Sequence, residues 1–301
     1  MGGFIFVPTA AEPKFSRINP MSGLGRMFSL PALVELCKVM LVSLLLAFVA
    51  TPARANGPPL PIADPASVGL APDRLARIAE VLKSEVDKGR IPGAVVAIAR
   101  RGKLAYLETV GFRDKAANAP MPRDAIFSMA SMTKPMTSVA IMMLYEEGKL
   151  FLADPVGKYL PQLADFKVAT VKSVDGKATI ETVLAKRQPT IQDLLRHTSG
   201  ITYGGRGATE VHKLWPAGSG TAVLEYTGPE FLAHIGKLPL LHQPGTAWDY
   251  SLSTDVLGLV VEAISGKSLG AFLDERLWKP LGMIDTSFAI PEAKQARYAR
   301  A

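Results

Sequence analysis

The chain holds a single cysteine, Cys37, in 301 residues, so no intrachain disulfide can staple it and a cystine-framework fold is excluded. Aromatic residues are sparse at 7%. The apolar run Val39–Ala50 spans only twelve residues, short of the ~20 that a membrane-spanning helix needs. No Gly-x-Gly-x-x-Gly or Walker pattern occurs, which removes the simplest nucleotide sites. The absence of Gly-x-Ser-x-Gly leaves an α/β-hydrolase nucleophile elbow unsupported, and there is no His-Glu-x-x-His zinc pair. What the chain does have is apolar mass: 48% of it is hydrophobic, too much to remain disordered. Its length allows one large or two small domains, with most of the unfolded surface buried on folding.

The net charge of +7, from 34 basic and 27 acidic residues, raises the question of an anionic partner. Part of the excess comes from Lys14, Arg17, Arg26, Lys38 and Arg54, which face only Glu12 and Glu35 in the first 55 residues. Beyond them the basic residues are interspersed with Asp and Glu, and no run exceeds Arg100-Arg101 or Lys186-Arg187. That is a solvated mixed surface, and no nucleic-acid partner is expected.

The N-terminal segment has the order of an export signal. Arg26 and Lys38 precede the apolar run, and Ala53-Arg54-Ala55 presents small residues where a signal peptidase reads them. We therefore expect residues 1–26 to be an extension upstream of the true start, residues 27–55 to be a signal peptide, and cleavage to follow Ala55. The destination is periplasmic or secreted, with membrane contact only in transit. Cys37 would leave with the signal, so the mature chain would have no thiol.

The remaining sequence mixes helix and strand patterns. Asp73 reads as the cap of a helix over Arg74–Lys88, with Leu75, Ile78, Val81 and Leu82 on one face. Ala94–Ala99 and Leu104–Val110 flank Arg101-Gly102-Lys103 as an antiparallel hairpin. An apolar helix over Met136–Glu147 ends at Gly148, and its methionines read as core filler. Val168–Val171 and Ala178–Val183 form a second hairpin about Asp175-Gly176. Ile191–His197 and Thr254–Ile264 are helices ended near Gly200 and at Gly266. Residues 202–220 read as a mobile loop beside a site.

Two groups of residues point to chemistry. Ser131-Met132-Thr133-Lys134 is an S-x-x-K in which positions i and i+3 share a helix face, so the amine can reach the hydroxyl. A lysine desolvated against apolar surroundings becomes neutral enough to activate serine. Pro135 places Ser131 at the helix start, where the dipole favours developing negative charge. The tetrapeptide alone is expected about once by chance in a chain this size, so its location carries the weight. The second group is Tyr250, just before the helix from Thr254: a phenolate stabilised by an ammonium such as Lys134 can shuttle a proton, although a lone tyrosine is by default a half-buried aromatic. His197, His212, His234 and His242 have no metal spacing, and Ser199 reads as a turn residue.

Five ordered blocks carry a family resemblance. They are Ser131–Pro135, Leu144–Leu150, Leu152–Val156, Ile191–Ile201 and Pro244–Ser251. Together they resemble the serine β-lactamase-related family, which joins class C β-lactamases, D-alanyl-D-alanine carboxypeptidases and family VIII carboxylesterases. The resemblance runs from about residue 62 to residue 290. It implies an α/β (α+β) fold of β-lactamase/transpeptidase type: an antiparallel sheet flanked by helices, plus a mostly helical lobe. It also implies Ser131 as the acylated nucleophile, Lys134 as its base partner and Tyr250 as the acid/base for the leaving group and the deacylating water. The Ser131 N–H would form half of an oxyanion hole. No metal or organic cofactor is implied, and the partner is a small ester or amide.

Leu252 departs from the Asn that class C β-lactamases place two residues after this tyrosine, which resembles the esterase branch. An exported carboxylesterase of short-chain esters is the expected activity. The alternatives are a β-lactamase or D,D-carboxypeptidase, and an inactive or ligand-binding homologue. The family also carries a third motif (Lys-Thr-Gly, His-x-Gly or Trp-x-Gly) on a late strand. Nothing after Leu281–Phe288 matches it, so residues 56–301 are expected to form a hydrolase domain lacking its final strands, with the first hairpin left open-edged.

Overall fold

The structure, a computed structural model, describes residues 60–174 and 177–300. The expected export segment, its upstream extension, Cys37 and the cleavage site lie outside the described residues. Pro72 opens the first helix, α1 (Pro72–Asp87), where its fixed φ and missing N–H cost nothing. Asp73, expected as the cap, sits inside the first turn instead, and Ala71 holds the cap position without a side-chain bond. The carboxylate still faces the positive end of the helix dipole there.

Helix α1 packs on β1 (Gly93–Arg100) and β2 (Lys103–Asp114), an antiparallel pair to which the short β3 (Ala119–Pro120) adds a third strand. Arg101 and Gly102 turn the hairpin with φ of 53° and 69°, the two positive angles of a type I′ turn that matches strand twist. At the other end Gly93 faces Gly111 in register. A Cβ on Gly93 would lie 2.6 Å from the Phe112 carbonyl oxygen, so only glycine permits that approach. Among the described residues strand β1 pairs with β2 alone.

The rest is the helical lobe. Helix α2 (Thr133–Glu146) buries Ala140, Ile141 and Leu144 completely. A separate two-stranded sheet, β4 (Lys167–Val174) and β5 (Lys177–Leu184), follows where the second hairpin was expected. Helix α3 (Ile191–Leu195) starts with a reciprocal capping box between Thr190 and Asp193. After it come α4 (Ser219–Glu225), α5 (Gly228–Ile235), α6 (Ser253–Ser265) and α7 (Leu269–Leu273). Helix α6 is central: Val256, Leu257, Val260 and Val261 are fully buried, and it packs on α2, α3 and α7. An antiparallel sheet with helices and a mostly helical lobe is therefore the architecture.

Two features refine the sequence reading. The segment 202–220 is anchored, because Tyr203, Val211 and Trp215 are buried in the core and the Trp215 indole N–H donates to the Pro239 carbonyl at 3.0 Å. Among the described residues no strand follows Leu184. Tyr298 makes a single parallel bridge to Ile126.

Candidate active site

Ala130 has a φ of 44°, a left-handed conformation that costs an L-residue energy and persists only where its surroundings enforce it. This kink leads into a tight turn, Ala130–Met132, and then directly into α2. Ser131 is thereby held exposed at the mouth of the helix, with Lys134 half-buried in the first helical turn.

Tyr250 arrives from the opposite wall, on a segment laced to the turn after α3. The Leu241 N–H donates to the Gly200 carbonyl and the Gly245 N–H to the Thr198 carbonyl, each at 2.7 Å; the Asp249 N–H donates to the His197 carbonyl at 2.8 Å. Gly200 has a φ of 85°, and a Cβ there would stand 2.2 Å from the His242 carbonyl oxygen. Beneath Tyr250 lies a buried hydroxyl network. Ser199 Oγ and Ser253 Oγ are 2.8 Å apart, Ser251 Oγ and Ser253 Oγ 2.7 Å, and Ser251 Oγ is 3.3 Å from His197 Nδ1. The His197 ring packs against Tyr250 with centroids 4.8 Å apart. Ser199, read from the sequence as a turn residue, and His197, read as a surface or structural histidine without metal spacing, form this floor.

The three residues singled out in the sequence meet in one cavity of about 630 Å³. The Tyr250 O–H donates to Ser131 Oγ at 2.9 Å. The Lys134 ammonium lies 4.9 Å from the Tyr250 ring centroid and donates to the Tyr203 hydroxyl at 3.2 Å. Among the described residues no hydrogen bond joins Lys134 Nζ to Ser131 Oγ, so the direct contact expected from the i, i+3 spacing is not made. Ser131 belongs to the turn before α2 rather than to the helix, and Tyr203 takes the ammonium instead.

The electrostatics also differ from the sequence expectation of a neutral lysine. Burial acts to lower the Lys134 pKa, but the hydroxyls of Tyr250 and Tyr203 and the charge of Asp255 carry it above its ordinary value. Burial pushes Tyr250 up, yet the bond to Ser131 and the Lys134 ammonium bring it below its ordinary value. The site therefore pairs a persistent ammonium with an acidified phenol. Burial, and then the Lys134 charge, lower the His197 pKa, which favours a neutral imidazole.

Sequence reasoning did not name Tyr203, Arg206, Ser219 or Asp255, all of which line the cavity. The Arg206 guanidinium sits 5.2 Å from the Tyr250 centroid. The one signal available for Tyr203, Arg206 and Ser219 was their membership of the segment 202–220. Among the described residues no cluster of three or more His, Cys, Asp or Glu is arranged to hold a metal ion.

A model of the Beta-lactamase family matches residues 78–301, a stretch that contains every residue of this site. The chain belongs to the Beta-lactamase family. Esterase EstB of Burkholderia gladioli is 34% identical over 234 residues, covering 77% of this chain and 56% of its own. Protein Rv1367c of Mycobacterium tuberculosis is 39% identical over 221 residues, covering 72% of this chain and 53% of its own. Among solved structures, EstCE1, described as a hydrolase with promiscuous acyltransferase activity, superposes with a TM-score of 0.63 at 30% identity. That match covers 76% of this chain and 56% of EstCE1. This member of the Beta-lactamase family thus spans little more than half the length of these relatives. It is a β-lactamase-fold member of a serine hydrolase family with esterase homologues. A second model, the FlhB HrpN YscU SpaS Family, matches residues 1–56, outside the described residues.

Proposed function

We propose that this protein is an exported carboxylesterase that acts on short-chain esters through an acyl-enzyme on Ser131. The observation that carries the proposal is the 2.9 Å hydrogen bond from Tyr250 to Ser131, made beside the Lys134 ammonium. In this mechanism Tyr250, as phenolate, removes the Ser131 proton while Oγ attacks the ester carbonyl. Lys134 stays protonated and stabilises the phenolate. The Ser131 backbone N–H and the N-terminal end of α2 stabilise the oxyanion. Collapse of the tetrahedral intermediate breaks the bond to the alkoxy group, which leaves as alcohol with the proton from Tyr250. A water then gives its proton to Tyr250 and attacks the acyl carbonyl; as the bond to Ser131 Oγ breaks and the acid leaves, Tyr250 passes that proton to Oγ, which restores both the Ser131 hydroxyl and the phenolate. The named groups can perform every step, so the mechanism calls for no metal.

The esterase reading is favoured over a β-lactamase by Leu252, which is fully buried and offers no amide to the cavity. The test compares p-nitrophenyl butyrate with a chromogenic cephalosporin. Faster turnover of the butyrate supports the esterase, and a large preference for the cephalosporin overturns it. Export through residues 27–55 is tested by sequencing the N-terminus of protein recovered outside the cytoplasm, where Asn56 is the expected first residue.

A further inference from the structure

Asp255, in the first turn of α6, is a half-buried carboxylate on the cavity wall. Among the described residues no lysine, arginine or histidine forms an ion pair with it. Its side-chain partner is Ser219, whose hydroxyl donates to Oδ2 at 3.0 Å. Ser219 Oγ in turn lies 2.8 Å from the Tyr203 hydroxyl, and that hydroxyl receives the Lys134 ammonium at 3.2 Å. Four side chains from α2, the segment after α3, the start of α4 and α6 thus form one continuous line.

The direction of the line follows from elementary chemistry. An ammonium can only donate, an ionised carboxylate can only accept, and each hydroxyl has one proton to give. With both ends charged, a single arrangement satisfies every contact: Lys134 donates to Tyr203, Tyr203 to Ser219, and Ser219 to Asp255. Hydrogen bonds aligned in this way polarise one another and strengthen.

We propose that Asp255 is a positioning residue that, through Ser219 and Tyr203, holds Lys134 as an ammonium beside Tyr250. This rests on the reading of Ser131 and Tyr250 given above. The line explains why a carboxylate without a cation partner is kept in the cavity wall, and it gives the tyrosine next to Lys134 a fixed hydroxyl orientation. The Lys134 charge faces Tyr203, Tyr250, His197 and Asp255, with Arg206 beyond the Tyr250 ring. Asp255 is the one acid of that set with a carboxylate, and burial raises its own pKa while Ser219 and Lys134 oppose the rise.

The test is the rate at which a fluorophosphonate labels Ser131 as a function of pH in the full chain. It compares wild type, Ser219→Ala, Ser219→Thr and Asp255→Asn, with melting by circular dichroism alongside. Ser219→Ala removes one hydroxyl from the cavity wall, and Ser219→Thr restores it. We expect Ser219→Ala and Asp255→Asn to label about tenfold more slowly and to move the alkaline limb of the profile down by roughly one pH unit, because Lys134 loses its proton more readily. Ser219→Thr should recover both. Folded Ser219→Ala with the wild-type rate and alkaline limb overturns the proposal. So does a slow variant whose limb stays in place, since a purely structural loss would behave that way. If wild type itself fails to label, the nucleophile reading falls and takes this one with it.

Discussion

Tyr250 donates its phenolic proton to Ser131 Oγ at 2.9 Å, across a separation of 119 positions in the chain. Neither side chain reaches the other by local geometry. Ser131 is set by the left-handed Ala130 before α2, and Tyr250 by backbone bonds to the turn after α3. The contact is therefore a product of the whole helical lobe.

Replacing Tyr250 with Phe keeps the ring against His197 and removes only the hydroxyl. We expect kcat/KM for p-nitrophenyl butyrate to fall by about 10² to 10⁴, the range for general acid–base help. The melting temperature should change little. Ser131→Ala should abolish covalent labelling altogether.

The pH profile has a definite sign. Tyr250 loses its proton below its ordinary pKa of 10.0 and Lys134 above its ordinary 10.5, so activity should rise with pH as the phenolate forms and fall once the ammonium is lost. Lys134→Met removes the charge that stabilises the phenolate, and the rising limb should move to higher pH. Steady-state rates from neutral to alkaline pH check this, and an unmoved limb would assign the limb to another group.

Asp193 is a structural residue of the same neighbourhood. It is buried, receives Arg187 Nη2 at 2.9 Å and Thr198 Oγ1 at 3.1 Å, and closes the capping box with Thr190. Asp193→Ala removes the partner of a half-exposed guanidinium and the Asp193 half of the capping box, while Thr190 still caps α3. Because solvent screens the exposed guanidinium, the expected loss is that of the hydrogen bonds, about 1–2 kcal/mol, or a Tm drop of roughly 2–8 °C for a domain of this size. Differential scanning calorimetry reads it directly.

Acid stability rests in part on two other carboxylates. Tyr159 and then Lys158 hold Asp154 at about 2, and Arg297 and then Lys294 hold Asp285 at about 2, against an ordinary value of 3.8. Each folded pKa is depressed, so each contribution is present above 3.8 and disappears as pH falls through about 2. Asp154→Asn and Asp285→Asn should flatten the loss of denaturant midpoint in that window.

The hairpins, the apolar helices and their glycine stops were legible because strand alternation, helical spacing and positive-φ glycines are local signals. Ser131, Lys134 and Tyr250 were legible as residue types at telling positions. Two things were not. The line from Tyr203 through Ser219 to Asp255 is made of hydroxyls that look like turn and cap residues until the chain folds. The direction of the Lys134 pKa depends on whether burial or its polar neighbours prevail, and spacing alone cannot weigh them. The cap of α1 was misplaced for a simpler reason, since Pro72 itself makes a good first helical residue.

The floor beneath Tyr250 consists of Ser199, Ser251, Ser253 and an imidazole whose pKa burial lowers. None of its hydroxyls titrates in the range where enzymes are assayed, and burial moves the charging of the imidazole towards more acidic pH. A change of rate with pH in this protein should therefore report the reacting pair and the line to Asp255, and not a change in the serine hydroxyls on which the tyrosine stands.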